Sequence, residues 1–222
     1  MDSKDGAHNE NVDELLGSDE VEKSKIGIMR ARVEREDPSA KDVDNLMLRR
    51  FLRARELDID KASNMFLKYL NWRLTFVPNG FISESEITKN IEHNKLFMQG
   101  YVVYILDKII SRMSSGQEKF IALADVEGWG YTNSDIRGSL AALSILQDYY
   151  PERLGKMFII NAPYIFMTMW KVIYPFIDSK TKKKIVFVEK KTQLSTLLED
   201  IDESQLPEVL GGKLELVPIQ EA

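Results

Sequence analysis

The stretch Met157-Phe-Ile-Ile160 decides the fold class of this 222-residue chain. Four apolar residues follow one another without polar alternation, which is typical of a strand covered on both faces of a parallel sheet. Two further runs have the same character, Phe120–Ala124 and Ile185–Val188. The intervening segments 133–149 and 164–177 have helical character. The order strand, helix, strand, helix, strand predicts an α/β lobe with a small, mostly parallel sheet and right-handed crossovers.

The segment before this lobe is predicted to be helical. A first helix, from about Val21, ends before Asp37-Pro38, because proline disfavours helical backbone in the residue before it. Asp42 and Asp58 are predicted to cap the next two helices, the first of which runs to about Arg55. The helix after Asp58 repeats apolar residues at spacings of three and four, which predicts a buried face.

A strong break and two more helices join this segment to the lobe. Pro78-Asn79-Gly80 interrupts the helical pattern, and Ser83 or Ser85 then begins a short helix. Tyr101–Met113 has the spacing of an amphipathic helix. We therefore predict three parts: an acidic, mostly disordered tail over 1–22, a helical subdomain over 23–94 and the α/β lobe over 95–222.

The net charge of −5 is unevenly distributed. Residues 1–22 contain eight acidic residues and one basic residue, which leaves a slightly positive net charge for the rest of the chain. A charge this close to neutral does not indicate the strongly basic surface that binds nucleic acids, so no nucleic-acid partner is expected. No stretch reaches the roughly 20 apolar residues that cross a bilayer, and the first residues lack a signal-peptide core. The sequence thus predicts a cytoplasmic protein.

Signals of catalysis are weak. The chain has no cysteine and two histidines, His8 and His93, which argues against a histidine- or cysteine-rich metal centre. Asp125 and Glu127 imitate an acid pair but have no matched base, and no glycine-rich phosphate loop follows a strand. We predict that the chain is not an enzyme, with no catalytic residues, no metal site and no cofactor.

Two features suggest binding. The segment Tyr164–Ile177 is apolar almost all round, which fits either a central core helix or the wall of an apolar ligand cavity that also touches a membrane. Arg55 shares a helical face with the apolar Leu48 and Phe51. Its guanidinium either reaches water or binds a phosphate or carboxylate.

A cluster of lysines flanks the last predicted strand. These lysines form either a solvated surface patch or a surface that attracts anionic lipid headgroups. They are Lys180, Lys182, Lys183, Lys184, Lys190 and Lys191.

Three ordered motifs carry a family resemblance. Leu48-Arg-Arg-Phe-Leu-Arg-Ala-Arg55, with Asp58 and Trp72-Arg73 after it, resembles the N-terminal helical module of CRAL-TRIO proteins. Asp148–Lys156 (DYYPERLGK), running into Ile159-Ile-Asn-Ala-Pro163, and Leu206–Gly212 (LPEVLGG) resemble the lipid-binding lobe of that family. The chain is similar to its plant phosphatidylinositol/phosphatidylcholine transfer branch over about residues 23–219.

The resemblance implies a monomeric carrier that binds a phospholipid, most simply phosphatidylinositol, and contacts membranes transiently as a peripheral protein. By motif alignment it assigns the lipid headgroup to Arg55, Glu152, Thr181 and Lys184. It also implies a gate helix over 164–178 that closes a hydrophobic pocket. The gate and pocket residues are Tyr164, Phe166, Met167, Trp170, Ile173 and Phe176.

Two departures from the family pattern qualify this expectation. Phe120 and Ala122 stand where phosphatidylcholine-binding relatives have hydroxyl residues, which predicts weak or rearranged phosphatidylcholine recognition. Between Gly100 and Tyr101 the family places about thirty further residues, including a strand, and losing a covered strand exposes apolar surface at about 25 cal/mol per Å². The alternative to a working carrier is therefore a transfer-impaired short form that acts as a regulatory or interaction protein.

Overall fold

A computed structural model describes residues 6–91 and 97–219, and the side chains of 19–87 and 99–219. The chain divides into two compact units, Met1–Gly80 and Phe81–Ala222. The division falls at the Pro78-Asn79-Gly80 break, within the segment predicted as one subdomain over 23–94. Gly80 has a positive φ of 80°, which glycine adopts without strain.

From residue 6 onward, the first unit forms three α-helices and a 3₁₀ turn. They are α1 (Gly6–Glu36), the 3₁₀ turn Pro38–Asp42, α2 (Asn45–Ala54) and α3 (Ile59–Phe76). The predicted end of the first helix at Glu36 is confirmed, and so is the Asp58 cap, whose side chain accepts a hydrogen bond from the Lys61 N–H at 3.0 Å.

The predicted Asp42 cap is wrong. Asp37 caps a separate 3₁₀ turn that begins at Pro38 and ends at Asp42. Val43 then has an extended backbone conformation, with ψ 135°, so the 3₁₀ turn ends there. Helix α2 begins directly after Asp44. The Asp44 carboxylate accepts a hydrogen bond from the Met47 N–H and caps α2 in its place.

The structure differs from the predicted disordered tail, because α1 begins at Gly6 and not near Val21. At the end of that acidic stretch, Glu22 is 8% exposed and accepts two hydrogen bonds from the Arg53 guanidinium, at 2.6 and 2.7 Å. This bidentate pair joins α1 to α2. Such a fork is among the stronger charge-assisted contacts in proteins.

The core of the first unit lies where the three helices meet. Met29 and Val33 of α1, Leu48 and Phe51 of α2 and Phe66 of α3 are at most 1% exposed. The Phe51 and Phe66 rings meet edge-on with centroids 5.2 Å apart, a favourable aromatic geometry. The apolar spacing read from the sequence therefore corresponds to real packing.

Within residues 84–91 and 97–219, the second unit forms six α-helices and three strands. In chain order they are α4 (Glu84–Ile91), α5 (Phe97–Arg112), β1 (Phe120–Asp125), α6 (Ile136–Tyr149), β2 (Leu154–Ile160), α7 (Tyr164–Ile173), α8 (Ser179–Lys182), β3 (Ile185–Phe187) and α9 (Gln193–Leu198). A 3₁₀ turn, Tyr174–Phe176, follows α7 inside the stretch 164–177, where the sequence predicts a helix bent at Pro175, because this proline lacks the N–H that would continue the helix.

The three strands form one parallel sheet in the order β1-β2-β3, which confirms the predicted α/β lobe. The central strand β2 holds the sheet in the core: Phe158, Ile159 and Ile160 are at most 1% exposed. Ile159 packs in the cluster with α7, whereas Phe158 packs with Leu197 of α9 on the opposite face. Helices therefore cover both faces, as the unalternated apolar runs predict.

The LPEVLGG motif forms a tight turn after α9. Gly211 has φ 91°, and a Cβ at Gly212 would lie 2.0 Å from the Leu206 carbonyl oxygen. The Gly212 N–H donates to the Pro207 carbonyl at 3.0 Å, and the Leu214 N–H donates to Leu206 at 2.9 Å. The paired glycines are thus required by backbone conformation and by close approach.

No helix within the described ranges combines the length and apolar character that crossing a bilayer requires.

The buried helical core predicts unequal effects of two matched leucine substitutions. Leu48 is 0% exposed and Leu74 is 67% exposed, although both lie in helices of the first unit. Leu48→Ala should lower the free energy of unfolding by about 2–5 kcal/mol, because it removes buried contacts and leaves a cavity. Leu74→Ala should change it by less than about 0.5 kcal/mol in urea denaturation followed by circular dichroism. Equal effects would contradict this packing.

Candidate functional site

Glu152 and Lys184, two of the four predicted headgroup residues, lie in contact in the second unit. The Lys184 Nζ is 3.4 Å from Glu152 Oε2, and the Lys119 Nζ is 3.6 Å from the same oxygen. The Glu152 and Lys184 side chains are 15% and 21% exposed. One carboxylate thus stands between two ammonium groups, so this cluster of Lys119, Glu152 and Lys184 keeps a net positive charge.

The turn before β2 sets the position of Glu152. Its backbone has φ 57°, in the left-handed region that residues with a Cβ rarely adopt. The next residue, Arg153, donates from Nη1 to the Glu118 carbonyl at 3.2 Å and accepts a hydrogen bond on its own carbonyl from the Phe120 N–H at 3.0 Å. These contacts join the start of β2 to the start of β1. They also bring Glu152 near Lys119.

Thr181 and Lys184 are joined through the short helix α8. The Lys184 N–H donates to the Thr181 carbonyl at 3.0 Å, and the Lys184 carbonyl accepts from the Met157 N–H of β2 at 2.8 Å. The hydrogen-bond ladder of the sheet therefore fixes the Lys184 backbone beside Met157, in the middle of β2. Three of the four predicted headgroup residues lie within the second unit, and two of them touch.

Asp178 is a member of this site that the sequence analysis missed. Its carboxylate caps α8 by accepting a hydrogen bond from the Thr181 N–H at 2.8 Å. Partial burial opposes ionisation, but bonds from the Thr181 hydroxyl and from the backbone N–H groups of Thr181 and Lys180, together with the Lys184 charge, lower the pKa of Asp178. The signal in the sequence was an acidic residue just before a short polar helix.

Arg55, the fourth predicted headgroup residue, belongs to the first unit. It follows the last residue of α2 and is half-buried, with Nη1 donating to the Ala54 carbonyl at 3.1 Å. Its role at a headgroup stays a prediction.

The predicted gate helix packs directly on the sheet. Phe166, Met169 and Ile173 of α7 are 6–7% exposed and share a cluster with Val126 and Ile159. Two other aromatic residues, one at the start of α7 and one in the 3₁₀ turn after it, face solvent: Tyr164 is 84% exposed and Phe176 is 59% exposed.

The six predicted gate and pocket residues therefore fall into three classes. Phe166 and Ile173 are buried, Met167 and Trp170 are half-buried against the same cluster, and Tyr164 and Phe176 are exposed. Met169 was missed, although it stands three residues after Phe166 and four before Ile173, the spacing of one helical face.

Aromatic rings extend from the interior to the surface along α7. Trp129 meets Phe166 edge-on with centroids 5.4 Å apart, and Phe187 of β3 meets Trp170 edge-on at 5.4 Å. The Trp170 ring lies 6.0 Å from that of Tyr174, over which the Lys182 Nζ sits at 4.7 Å. The aromatic surface thus ends among lysines, an arrangement suited to the boundary between apolar and charged surroundings.

Asp125 and Glu127, which imitate an acid pair in the sequence, stabilise a loop. The Asp125 Oδ1 accepts from the Glu127 backbone N–H at 2.9 Å and from the Asn161 amide at 3.1 Å. Within the described ranges, no group of three or more acidic or histidine side chains is placed to hold a metal ion.

The comparisons with known proteins show the family. The family model described as "CRAL/TRIO domain" matches residues 74–212. The Sec14 cytosolic factor of Schizosaccharomyces pombe is 32% identical over 218 residues, which cover 77% of this chain and 75% of that protein. The chain therefore belongs to the CRAL/TRIO family, as the sequence motifs predict.

A plant relative is equally similar. Phosphatidylinositol/phosphatidylcholine transfer protein SFH12 of Arabidopsis thaliana is 32% identical over 216 residues, covering 76% of this chain and 39% of the relative. The chain thus spans much less than the full length of this relative. The alignment has 216 positions, but it includes only 76% of the 222 residues of this chain. The remaining aligned positions are residues of the relative that have no counterpart here.

A solved structure supports the fold. The crystal structure of Sfh5 superposes with a TM-score of 0.63 and 18% sequence identity, covering 80% of this chain and 83% of that chain. This likeness confirms the fold class.

The hydrogen bonds around Asp178 predict its titration. In carboxyl ¹³C NMR, Asp178 should titrate below the ordinary value of about 3.8. Because the folded-state pKa is lowered, the ionised carboxylate stabilises the fold fully above pH 3.8, and this stabilisation is lost as the pH falls through the folded-state pKa. Thr181→Val, which removes the hydroxyl donor, should move the pKa of Asp178 upward. Titration of the wild-type group at or above 3.8 would contradict the assignment.

Proposed function

We propose that this chain binds a phospholipid, most simply phosphatidylinositol, and moves it between membranes without covalent chemistry. The observation that carries the proposal is the family membership together with the cluster of Lys119, Glu152 and Lys184. Relatives named phosphatidylinositol/phosphatidylcholine transfer proteins support this class of ligand.

The cluster has the chemistry for a phosphorylated polyol. Two ammonium groups suit a phosphodiester, whereas the Glu152 carboxylate and the Thr181 hydroxyl suit inositol hydroxyls. Glu152 also holds Lys184 in place before a ligand arrives, so less ordering entropy is lost on binding.

The aliphatic part of the lipid would replace contacts that α7 now makes with the sheet. Phe166, Met169 and Ile173 leave the sheet when α7 moves outward, and each buried apolar side chain contributes about 1.5–3 kcal/mol. Acyl chains that enter between α7 and β2 restore that apolar contact. Ala122 and Ala124 leave room on this face, because small side chains there take little volume.

The exposed rings of the α7 segment would meet the membrane. Tyr164 and Phe176 present apolar surface to solvent, and the exposed Lys190 and Lys191 are positive at neutral pH. Aromatic side chains favour the membrane interface, and lysines are attracted to anionic headgroups. Contact with a bilayer would thus favour movement of α7.

A second candidate function is supported by the alignment lengths. The residues missing relative to SFH12 and the closed packing of α7 are also compatible with a short form that carries no lipid and acts as a regulatory or interaction protein. Native mass spectrometry of the purified chain distinguishes the two, because a carrier should retain a phospholipid through desalting. Protein free of lipid both before and after incubation with phosphatidylinositol vesicles would favour the second candidate.

The headgroup assignment predicts a loss of transfer on one lysine substitution. Lys184→Ala should lower the rate of phosphatidylinositol transfer between donor and acceptor vesicles by about tenfold or more, because a charge-assisted contact to the phosphate is lost. Lys183→Ala is the matched control, since Lys183 is the exposed neighbour of Lys184, and should change transfer by less than about twofold. Equal rates in the two variants would refute the assignment of Lys184.

The two sides of the α7 segment predict separable effects of matched phenylalanine substitutions. Phe166→Ala should lower the free energy of unfolding by about 3–5 kcal/mol, because Phe166 is 6% exposed. Phe176→Ala should leave stability within about 0.5 kcal/mol, since that ring is 59% exposed, yet lower cosedimentation with anionic vesicles. Unchanged vesicle binding of Phe176→Ala would contradict the proposed membrane contact.

A further inference from the structure

The Gln147 side chain of α6 holds the backbone at the end of the 3₁₀ turn that follows α7. Its amide Nε2 donates to the Phe176 carbonyl at 3.3 Å, and its Oε1 accepts from the Asp178 N–H at 2.8 Å. One amide thus meets a backbone acceptor and a backbone donor two residues apart, which fixes the orientation of the amide. Ile177, between the two bonded groups, is 5% exposed and belongs to the cluster that α7 shares with the sheet.

Helix α6 has anchors of its own apart from α7. It packs against α5, and the hydroxyl of Tyr150, directly after α6, donates to the Asp107 carboxylate of α5 at 2.7 Å. Ala142 and Ile145 of α6 are at most 9% exposed. Because these contacts do not involve α7, Gln147 can hold positions 176 and 178 while α7 moves.

A series of hydrogen bonds continues from Asp178 to the cluster of Lys119, Glu152 and Lys184. The Asp178 carboxylate accepts from the Thr181 N–H at 2.8 Å, and the Thr181 carbonyl accepts from the Lys184 N–H at 3.0 Å. The Lys184 Nζ is in turn 3.4 Å from Glu152. A displacement of Asp178 would therefore be passed through α8 to Lys184.

The backbone between α7 and these bonds is suited to a hinge. Helix α7 ends at Ile173, and Pro175 in the 3₁₀ turn has no N–H to continue the helical hydrogen bonds. Hinges are commonly a few residues at the end of an element, where they absorb changes in φ and ψ. A change in the direction of α7 can thus be absorbed before Phe176, the first residue that Gln147 holds.

We propose that Gln147 is a positioning residue that separates the movement of α7 from the cluster of Lys119, Glu152 and Lys184. This role rests on the proposed function, in which α7 leaves the sheet to admit a lipid. The two bonds from Gln147 keep positions 176 and 178 on α6 when α7 moves. Helix α8 and Lys184 then stay in place, so the headgroup contact persists while the acyl chains enter or leave.

Hydrogen exchange followed by mass spectrometry of the full chain, with and without vesicles that contain phosphatidylinositol, tests this role. In the wild-type chain, vesicles should accelerate exchange in peptides over 164–173 but not over 181–184. Gln147→Met keeps the length and helix propensity of the side chain but removes both bonds. With vesicles, this variant should exchange over 181–184 about tenfold faster than wild type or more. Without vesicles it should match wild type there, because Asp178 still caps α8.

A matched variant separates this effect from a general effect of methionine. Gln205→Met makes the same substitution at an exposed position in the second unit and should match wild type in every peptide. Phosphatidylinositol transfer should fall by about threefold or more in Gln147→Met, because the movement of α7 then disturbs Lys184. Transfer should be unchanged in Gln205→Met.

Three results would contradict the role of Gln147. Vesicle-induced acceleration over 181–184 in the wild-type chain would overturn it, because α8 would then move together with α7. Wild-type exchange and transfer in Gln147→Met would also overturn it, since other contacts would then hold Asp178. Unchanged exchange over 164–173 with vesicles has a different meaning: it would refute the movement of α7 in the proposed function, and the role of Gln147 with it.

Discussion

The second unit depends on the burial of one short strand. β2 is paired on both sides, and its side chains alternate between two apolar clusters, with Ile159 towards α7 and Phe158 towards α9. Neither helix layer has a core without this strand, because each buries its apolar face against alternate residues of the same seven. The same strand also positions the cluster of Lys119, Glu152 and Lys184. The Met157 N–H bonds the Lys184 carbonyl, and the turn that begins β2 holds Glu152 near Lys184.

The two acidic side chains near Lys184, those of Glu152 and Asp178, each interact with more than one partner. Glu152 forms ion pairs with Lys119 and Lys184, and Asp178 accepts hydrogen bonds from the backbone and the Thr181 hydroxyl of α8. Lys182 lies over the Tyr174 ring, and the rings from Trp129 to Tyr174 give an apolar surface beside this lysine. Positive charge next to an aromatic surface suits an amphiphile, whose two ends need these two environments.

Features fixed by local chemistry were predictable from the sequence. The Asp58 cap and the three apolar strands were found because a cap needs only the next few residues and a covered strand needs only an unalternated run. The Asp42 cap failed because one proline inserted a 3₁₀ turn and moved the helix start by two residues, a shift that apolar spacing does not register. The start of α1 at Gly6 was missed for a related reason, since an acidic polar stretch has little apolar periodicity.

The sequence by itself determined the family, the α/β class and the apolar character of α7, because these follow from residue types and their spacing along the chain. Only the tertiary structure decided which side of α7 is buried, which lysines share Glu152, and that β1 stands at an edge. Each of those depends on contacts between residues distant in sequence: Phe166 meets β2, and Glu152 meets positions 119 and 184. Such contacts form when hydrogen bonds between the strands assemble the sheet. Their partners are set by the order of strands in the sheet, which no local pattern encodes.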